Sequence, residues 1–441
     1  MPPPPPGNED GPGPDGPWAF LVRHRRVLLA ALALRLVIMP FFANGDLGAD
    51  MWRAYELVYR GQNHTTDMAW VRTGVGAVGI RLAALGTPDL DELMPAHGIS
   101  IAYFGYSLPR YWPAWAKLAS QPRFMLAQFL FKCVYLPFDL LIAFLIARLC
   151  RDRERLAVRA WLFNPVALFA TYMWGRLDVV MLAFLMAAMT LIAGRRLILG
   201  LACVLLAALT KAAAVILLPV LAAVALASQR RWRGPLVAAS GLAFVALCWW
   251  PPFRQTLGAF SRHGHTQYLI ETRFSTHHLV FPELIAHQIY LLPAFLLIVA
   301  FSVYQKHRER LVPALALSYL GYFALCHFHP HYLVWVVPFL IVVSIRNSQL
   351  LQLIRLQGIV FLVLFLGLKG VNLFLPGLPT LHGDGNMTAA RIWHGAYVRV
   401  HGALPEVDGL LLTALFAIHV LFIAKIWWSH MRDPDVERLP S

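Results

Sequence analysis

Residues 45–53 read Gly45-Asp46-Leu47-Gly48-Ala49-Asp50-Met51-Trp52-Arg53. They follow directly on an apolar run, Val27 to Phe42, which begins after the basic cluster Arg23-His24-Arg25-Arg26. Basic residues before a first span hold that end in the cytoplasm, so we expect both acids to emerge on the opposite face of a membrane. Apolar and aromatic side chains then recur at helical spacing, which predicts a helix lying on the membrane surface.

The two acids of this stretch allow two interpretations. A carboxylate held at the membrane surface can reach the head group of a lipid-linked substrate. Alternatively, Asp46 and Asp50 are loop acids that cap the helix, the commoner role of Asp at such a place. Asp50 stands where an N-cap is expected, and Asp46 precedes the predicted helix.

Composition places the chain among integral membrane proteins. Of its 441 residues 59% are hydrophobic and 14% charged, with a mean hydropathy of +0.59. A soluble domain of this length does not have this composition, whereas a bundle of spans does. The net charge of +15 is explained by Arg-rich loops on one side of the membrane, so no nucleic-acid partner is expected. The five cysteines suggest neither a disulfide framework nor a metal site.

The apolar runs predict an all-α polytopic membrane protein with about twelve transmembrane helices. We expect a disordered Pro- and Gly-rich tail over residues 1–22, one transmembrane domain over 23–430 and a second tail over 431–441. Residues 44–123 form the first outer, periplasmic loop, with interfacial helices. If each run crosses once, the basic turns share one side. These turns are Arg151-Asp152-Arg153-Glu154-Arg155, Arg195-Arg196, Arg230-Arg231-Trp232-Arg233, Lys306-His307-Arg308-Glu309-Arg310, Arg346 and Arg355.

Two runs, Ala160 to Met173 and Leu197 to Thr210, are shorter than the ~20 residues that a full crossing needs. The polar residues that follow them, Trp174-Gly175-Arg176-Leu177-Asp178 and Thr210-Lys211, would therefore lie below the outer surface. Such turns are tolerated only where they line a cavity or are buried in protein.

Four pieces of the chain resemble the integral-membrane glycosyltransferases of the GT-C class. The most similar are bacterial polyprenyl-phosphate-sugar-dependent mannosyltransferases related to the GPI mannosyltransferases and to the GT87 family. Asp46 after the first span is similar to the catalytic acid of that class. The other pieces are Asn164-Pro165 with Trp174-Gly175-Arg176-Leu177-Asp178, Lys211 with Pro219, and His329-Pro330-His331-Tyr332-Leu333-Val334-Trp335 with Pro338. Arg176 departs from the class, which usually has Gln there.

The resemblance implies transfer of a sugar, most often mannose, from a polyprenyl phosphate to the hydroxyl of a lipid-linked or glycan acceptor, with inversion. Asp46 would be the general base, with Asp50 beside it. The leaving phosphate needs cations or hydrogen-bond donors. The predicted substrate- and phosphate-binding residues are Arg176, Asp178, Lys211, Arg262, Arg273, His329, His331 and Tyr332.

Each of these residues also has a structural interpretation. Arg176 and Asp178 could pair with each other at a span end, and Lys211 could extend outward to the membrane surface. However, a Lys within an apolar run indicates a site by default. Asn164 and Pro165 are more typical of a helix kink. We expect no cofactor; a divalent cation held by Asp46 and Asp50 is an open alternative.

Two other functions compete with the enzyme. A transporter or flippase for a lipid-linked glycan would place ionisable residues at mid-membrane, where Arg35, Lys132, Asp139 and Lys369 are candidates. A structural membrane subunit would explain the spans but not the paired acids. The enzyme hypothesis predicts an integral protein of the bacterial inner membrane. Its partners would be the lipid-linked donor, the acceptor and membrane lipids, and its site would face the periplasm.

Overall fold

Apolar runs separated by short polar turns fold into helices throughout the part of the chain that the structure describes. That structure is a computed structural model, and it describes residues 16–62, 70–94, 122–217, 219–221, 223, 291–306, 310–325, 330–364, 373–374, 399 and 407–431. Apart from one two-residue strand pairing, its regular structure is helical, which confirms the predicted all-α class.

The first half of the fold alternates long helices with short site-bearing connections. Its helices are α1 Pro17–Phe41, α2 Gly45–Arg60, α3 Trp70–Gly86, α4 Leu90–Leu93, α5 Pro122–Lys132, α6 Tyr135–Leu149, α7 Glu154–Leu162, α8 Pro165–Leu168, α9 Asp178–Ala193 and α10 Leu197–Thr210. A 3-10 turn, Arg151–Arg153, precedes α7, a π-helical turn, Phe169–Met173, follows α8, and a 3-10 turn, Ala212–Leu217, follows α10.

The second half packs further apolar helices against the first. Its helices are α11 Leu291–Lys306, α12 Leu311–Leu325, α13 Val337–Ser344, α14 Ser348–Leu364 and α15 Val407–Ile426, with a 3-10 turn, Pro330–Trp335, before α13 and a π-helical turn, Trp427–Met431, after α15. The strands β1, Ala43–Asn44, and β2, Leu373–Phe374, pair antiparallel. The pairing joins the connection before α2 to a segment beyond α14.

Helix α1 begins earlier than the sequence predicted. Pro17 occupies its first turn, where proline is favoured because its missing N–H would be unpaired there in any case. Residues 17–22 are therefore helical, and the prediction of a disordered tail up to residue 22 is wrong over that stretch. Residues 1–15 lie outside the described part.

One helical stretch of the described chain, Arg123–Leu149, is long and apolar enough to cross a membrane. It comprises α5 and α6 and begins where the predicted outer loop, residues 44–123, ends. The bent pair formed by residues 151–162 and 165–173 qualifies as a second if it counts as one span. The other described apolar helices are shorter, so the figure of about twelve spans stays a prediction.

The bend in that pair has a local cause. The side chain of Asn164 accepts hydrogen bonds from the backbone N–H groups of Val166 and Ala167, and Pro165 occupies the first turn. This is an N-cap, at which a new helix begins in a different direction. The axes of the two helices are bent by 43° relative to each other. The prediction that Asn164 and Pro165 shape a helix kink is confirmed.

Two of the predicted basic turns, 151–155 and Arg346, lie at the same end of the bundle as the start of α1. Arg23 and His24 at the start of α1 contact Glu154, at 2.6 and 2.7 Å. Arg346, beyond α13, pairs with Asp152 at 2.9 Å in the turn before α7. These contacts bring three polar ends together. The opposite ends of α1 and of the α5–α6 span lie towards the candidate site.

Candidate functional site

Helix α2 places both acids of the opening stretch inside the helix. It begins at Gly45, so Asp46 lies in its first turn and Asp50 in its second. The expectation that Asp46 precedes the helix and that Asp50 caps it is therefore wrong. An acid near a helix N-terminus is stabilised by the helix dipole, which explains why the helix extends back through Asp46. The buried side chains Leu47, Met51 and Ala54 follow one face.

Asp50 is held in a buried ion pair between helices. Its Oδ1 accepts a hydrogen bond from Arg72 Nη2 of α3, and Nη1 of Arg53 lies 3.9 Å from the same oxygen. Both carboxylate oxygens are buried, and Oδ2 accepts no hydrogen bond from the described residues. Asp50 therefore anchors α2 to α3 through Oδ1.

The connection from Trp174 to Asp178 is buried against the start of α2. Trp174, Leu177 and Asp178 are each at most 5% exposed, which confirms that this polar turn is enclosed by protein. Gly175 has φ +80°, and a Cβ at this position would lie 2.9 Å from Cβ of Leu47. The two segments that the sequence singled out thus touch each other at Leu47 and Gly175.

Lys211 lies directly after α10 and pairs with Asp178. Its Nζ is 2.7 Å from Oδ1 and 2.9 Å from Oδ2 of that carboxylate, and Trp335 Nε1 donates to Oδ2 at 2.9 Å. The ammonium group also lies over two aromatic rings, 4.4 Å from the ring centroid of Tyr332 and 4.7 Å from that of Trp335. Lys211 consequently points into the protein and not outward to a membrane surface.

The late segment supplies the aromatic wall of this cluster. His331 stacks on Trp174 with 5.1 Å between ring centroids, and Tyr332 stacks on Trp335 at 4.3 Å. All four side chains are buried. The 3-10 turn Pro330–Trp335 therefore joins the Trp174–Asp178 connection to Lys211.

Four charges of the site act on one buried side chain, that of Tyr135 at the start of α6. Asp50, Arg72, Arg176 and Asp178 all lie close enough to interact with it electrostatically. Lys211 in turn interacts with Asp178, Arg176 and Arg72. We call these five charged residues the charge cluster: Asp50, Arg72, Arg176, Asp178 and Lys211. Cations outnumber carboxylates in this set, and Arg53, 3.9 Å from Asp50, is a further buried cation beside it. This excess of positive charge favours an anionic ligand.

Four of the predicted site residues have side chains outside the described part of the chain. His329, Arg262 and Arg273 lie outside the described residues. Of Asp46 the backbone position alone is described. Within the described ranges no group of three or more His, Cys, Asp or Glu side chains is arranged to hold a metal ion.

The sequence did not identify Arg72, Tyr135 or Trp335 as site residues on their own. Arg72 belongs to a Gly- and Ala-rich helix without a motif, and its contact with Asp50 crosses between two helices. Tyr135 could have been found from spacing, because Gln128, Lys132, Tyr135 and Asp139 recur every three or four residues within an apolar span. Trp335 was part of a motif, but its bond to Asp178 was not foreseen.

Comparison with known proteins adds no relative to this picture. No protein-family model matches the chain, and no curated protein matches it at a significant level.

Proposed function

We propose that this protein is an integral-membrane glycosyltransferase. It transfers a sugar, mannose being the first donor to test, from a polyprenyl phosphate to the hydroxyl of a lipid-linked or glycan acceptor. The supporting observation is the charge cluster, in which three cations and two carboxylates converge beside the start of α2. The proposal includes about twelve spans in the bacterial inner membrane and a site that faces the periplasm.

The proposed reaction needs a base and a site for the leaving phosphate. The acceptor oxygen attacks the anomeric carbon from the face opposite the phosphate, the bond between that carbon and the phosphate oxygen breaks, and the configuration inverts. The acceptor proton passes to the carboxylate of Asp46. The electron pair of the broken bond stays on the phosphate, which leaves as a monoester, and cations next to it stabilise its growing charge.

The arrangement of the cations agrees with that requirement. Lys211 interacts through space with both Arg72 and Arg176, and both arginines interact with the buried Tyr135. Neighbouring like charges repel each other and are unfavourable unless anions balance them. Asp50 and Asp178 balance two of the three cations, and Arg53 lies beside Asp50 as a further cation. An anionic phosphate would balance the excess positive charge.

Membrane location has its own support. The helices α10, α11 and α14 carry large exposed apolar side chains. Large apolar patches are rarely exposed to water on soluble proteins. Exposed examples are Ile198 at 70%, Leu297 at 66% and Ile359 at 60%. Together with the span over Arg123–Leu149, these surfaces fit contact with lipid.

The charges that a transporter would use at mid-membrane have structural partners. Arg35 Nε pairs with Asp139 at 2.5 Å, and Lys132 donates to three backbone carbonyl oxygens. The remaining candidate, Lys369, lies outside the described residues. The transport hypothesis therefore has less support than the enzyme hypothesis.

The test is transfer by the purified protein, supplied with a panel of radiolabelled polyprenyl-phosphate sugars and lipid-extract acceptors. We expect transfer from one donor. Asp46→Asn should lower kcat by about 10²- to 10⁴-fold, because the amide cannot accept the proton. Asp91→Asn, which changes an exposed acid of α4, is the matched control and should keep full activity. Absence of transfer from every donor would contradict the proposal.

A second variant separates the two acids. Asp50→Asn leaves Arg72 without its buried counterion, so the free energy of unfolding should fall by about 3 kcal/mol. Asp46→Asn should leave the unfolding temperature unchanged within 2–4 °C, the shift that about 1 kcal/mol produces in larger domains. If Asp46→Asn keeps normal kcat and Asp50→Asn folds but is inactive, Asp50 is the base.

A further inference from the structure

One face of the α5–α6 span carries four buried polar side chains. Gln128, Lys132, Tyr135 and Asp139 are spaced four, three and four residues apart, which places them on one side of a helix. All four are at most 2% exposed. We call this set the polar stripe. Polar groups buried within an apolar span are expensive unless each finds a partner, so their partners indicate their role.

Two members of the stripe bind the end of α1. Lys132 Nζ donates to the carbonyl oxygens of Met39, at 2.9 Å, and Phe42, and Gln128 Nε2 donates to that of Pro40. The last four carbonyls of a helix have no partner within the helix. A cation beside them is also favoured by the helix dipole. The stripe therefore fixes the point at which the chain leaves α1, just before α2 and its acids.

Two members also bind the connection that leads to Asp178. Lys132 Nζ donates its third hydrogen to the carbonyl oxygen of Tyr172, at 2.9 Å, in the π-helical turn. The hydroxyl group of Tyr135 donates to the carbonyl oxygen of Gly175, at 2.9 Å. An ammonium group has three hydrogens to donate. Lys132 uses all three on backbone carbonyls, two in one site segment and one in the other.

We propose that Lys132 is a positioning residue that fixes the segments 39–50 and 172–178 relative to each other. This inference rests on the proposed function for its catalytic meaning. The anchoring of both segments by one side chain does not depend on the proposed function. Gln128 supports the first segment alone and Tyr135 the second alone.

The anchoring can be measured by hydrogen–deuterium exchange of the purified protein, which needs no substrate. Segment 39–50 includes the end of α1, strand β1 and the first turns of α2. In segment 172–178 the N–H groups of Trp174 and Arg176 donate to the carbonyl oxygens of Phe169 and Ala170, so exchange in both segments reports local opening. We expect Lys132→Met to raise exchange about tenfold or more in both segments. Gln128→Leu should raise it in 39–50 alone, and Tyr135→Phe in 172–178 alone.

Gln357→Leu is the matched control, because Gln357 is equally buried and its recorded partner is His419 of α15. It should leave exchange in both site segments unchanged. A merely structural Lys132 would raise exchange throughout the bundle or in one segment only, and either result would overturn the proposal. If Lys132→Met does not fold, the separate patterns of Gln128→Leu and Tyr135→Phe decide it: uniform or absent changes in both variants contradict the anchoring.

The catalytic part is tested where wild-type transfer is measurable. Tyr135→Phe should lower kcat by about tenfold and change KM less than twofold, because positioning acts on the reacting geometry more than on donor binding. A wild-type protein that transfers no sugar would contradict the proposed function while leaving the exchange result intact. Selective exchange with unchanged kcat would overturn the catalytic role and leave the anchoring in place.

Discussion

At Asp178, both carboxylate oxygens are occupied by hydrogen-bond donors. Lys211 contacts both, and Trp335 donates to one of them. Transfer of two charges out of water is unfavourable, and a buried pair is tolerated when its geometry is good and its remaining lone pairs are satisfied. A carboxylate in this state is poorly suited to accept a proton from substrate. Asp178 therefore orients Lys211, which under the proposed function is the group that faces the leaving phosphate.

The coupling between these two residues can be measured directly. Lys211→Met leaves the Asp178 carboxylate buried without its counterion, so the free energy of unfolding should fall by about 3–5 kcal/mol. The double variant Lys211→Met/Asp178→Asn removes both charges and should lose less than Lys211→Met alone. Thermal unfolding in detergent of the wild type, both single variants and the double variant gives the interaction energy. Additive losses would show that the pair is not coupled.

At the scale of elements, the site depends on where two helices meet at their ends. The start of α2 packs against the connection before α9, where Leu47 lies against Gly175. Gly175 is required for two reasons. Its positive φ is unfavourable for any residue with a Cβ, and the space that a Cβ would occupy is taken by Leu47.

Substitution of Gly175 should separate these two reasons. Gly175→Ala should lower the free energy of unfolding by about 1–2 kcal/mol because of the left-handed backbone alone. The total loss should be larger, because Leu47 must also move to make room for the new Cβ. Leu47→Ala in the same chain removes the steric part, so Gly175→Ala should be less destabilising in that background. Melting temperatures of the four proteins measure the difference. An equal effect of Gly175→Ala in both backgrounds would contradict the contact.

The same elements show how far the sequence could predict the fold. The apolar runs predicted the helices, and the Asn164-Pro165 pair predicted the bend, because both depend on neighbours along the chain. The start of α2 was misplaced, since two glycines and two acids are typical of a loop. The pairing of Asp50 with Arg72 and of Asp178 with Lys211 was not predicted. Such contacts depend on how helices pack, and spacing along the chain does not contain that information.

At the scale of the whole molecule, the two ends of the bundle differ in charge. Exposed arginines cluster at the end where Arg23 and His24 meet Glu154 and where Arg346 meets Asp152. The charge cluster lies towards the other end, beside the polar stripe at the start of α6. An excess of Lys and Arg in short connecting turns is typical of the cytoplasmic side of a membrane protein. This distribution predicts that the charge cluster faces away from the cytoplasm.

Cysteine labelling in intact cells tests this orientation. Arg155, exposed in α7, belongs to the basic end. Asp91, exposed in α4, belongs to the other end. Asp89 beside it pairs with Arg123 at the start of the span, and the span finishes at Leu149 near the basic turn.

A membrane-impermeant maleimide should label Asp91→Cys from outside, and Arg155→Cys only after the cells are permeabilised. The unsubstituted chain is the control, since its described cysteines Cys133, Cys150 and Cys203 are buried or half-buried. Labelling of Arg155→Cys from outside, with Asp91→Cys protected, would reverse the orientation and place the charge cluster on the cytoplasmic face, where a donor presented from the periplasm would not reach it.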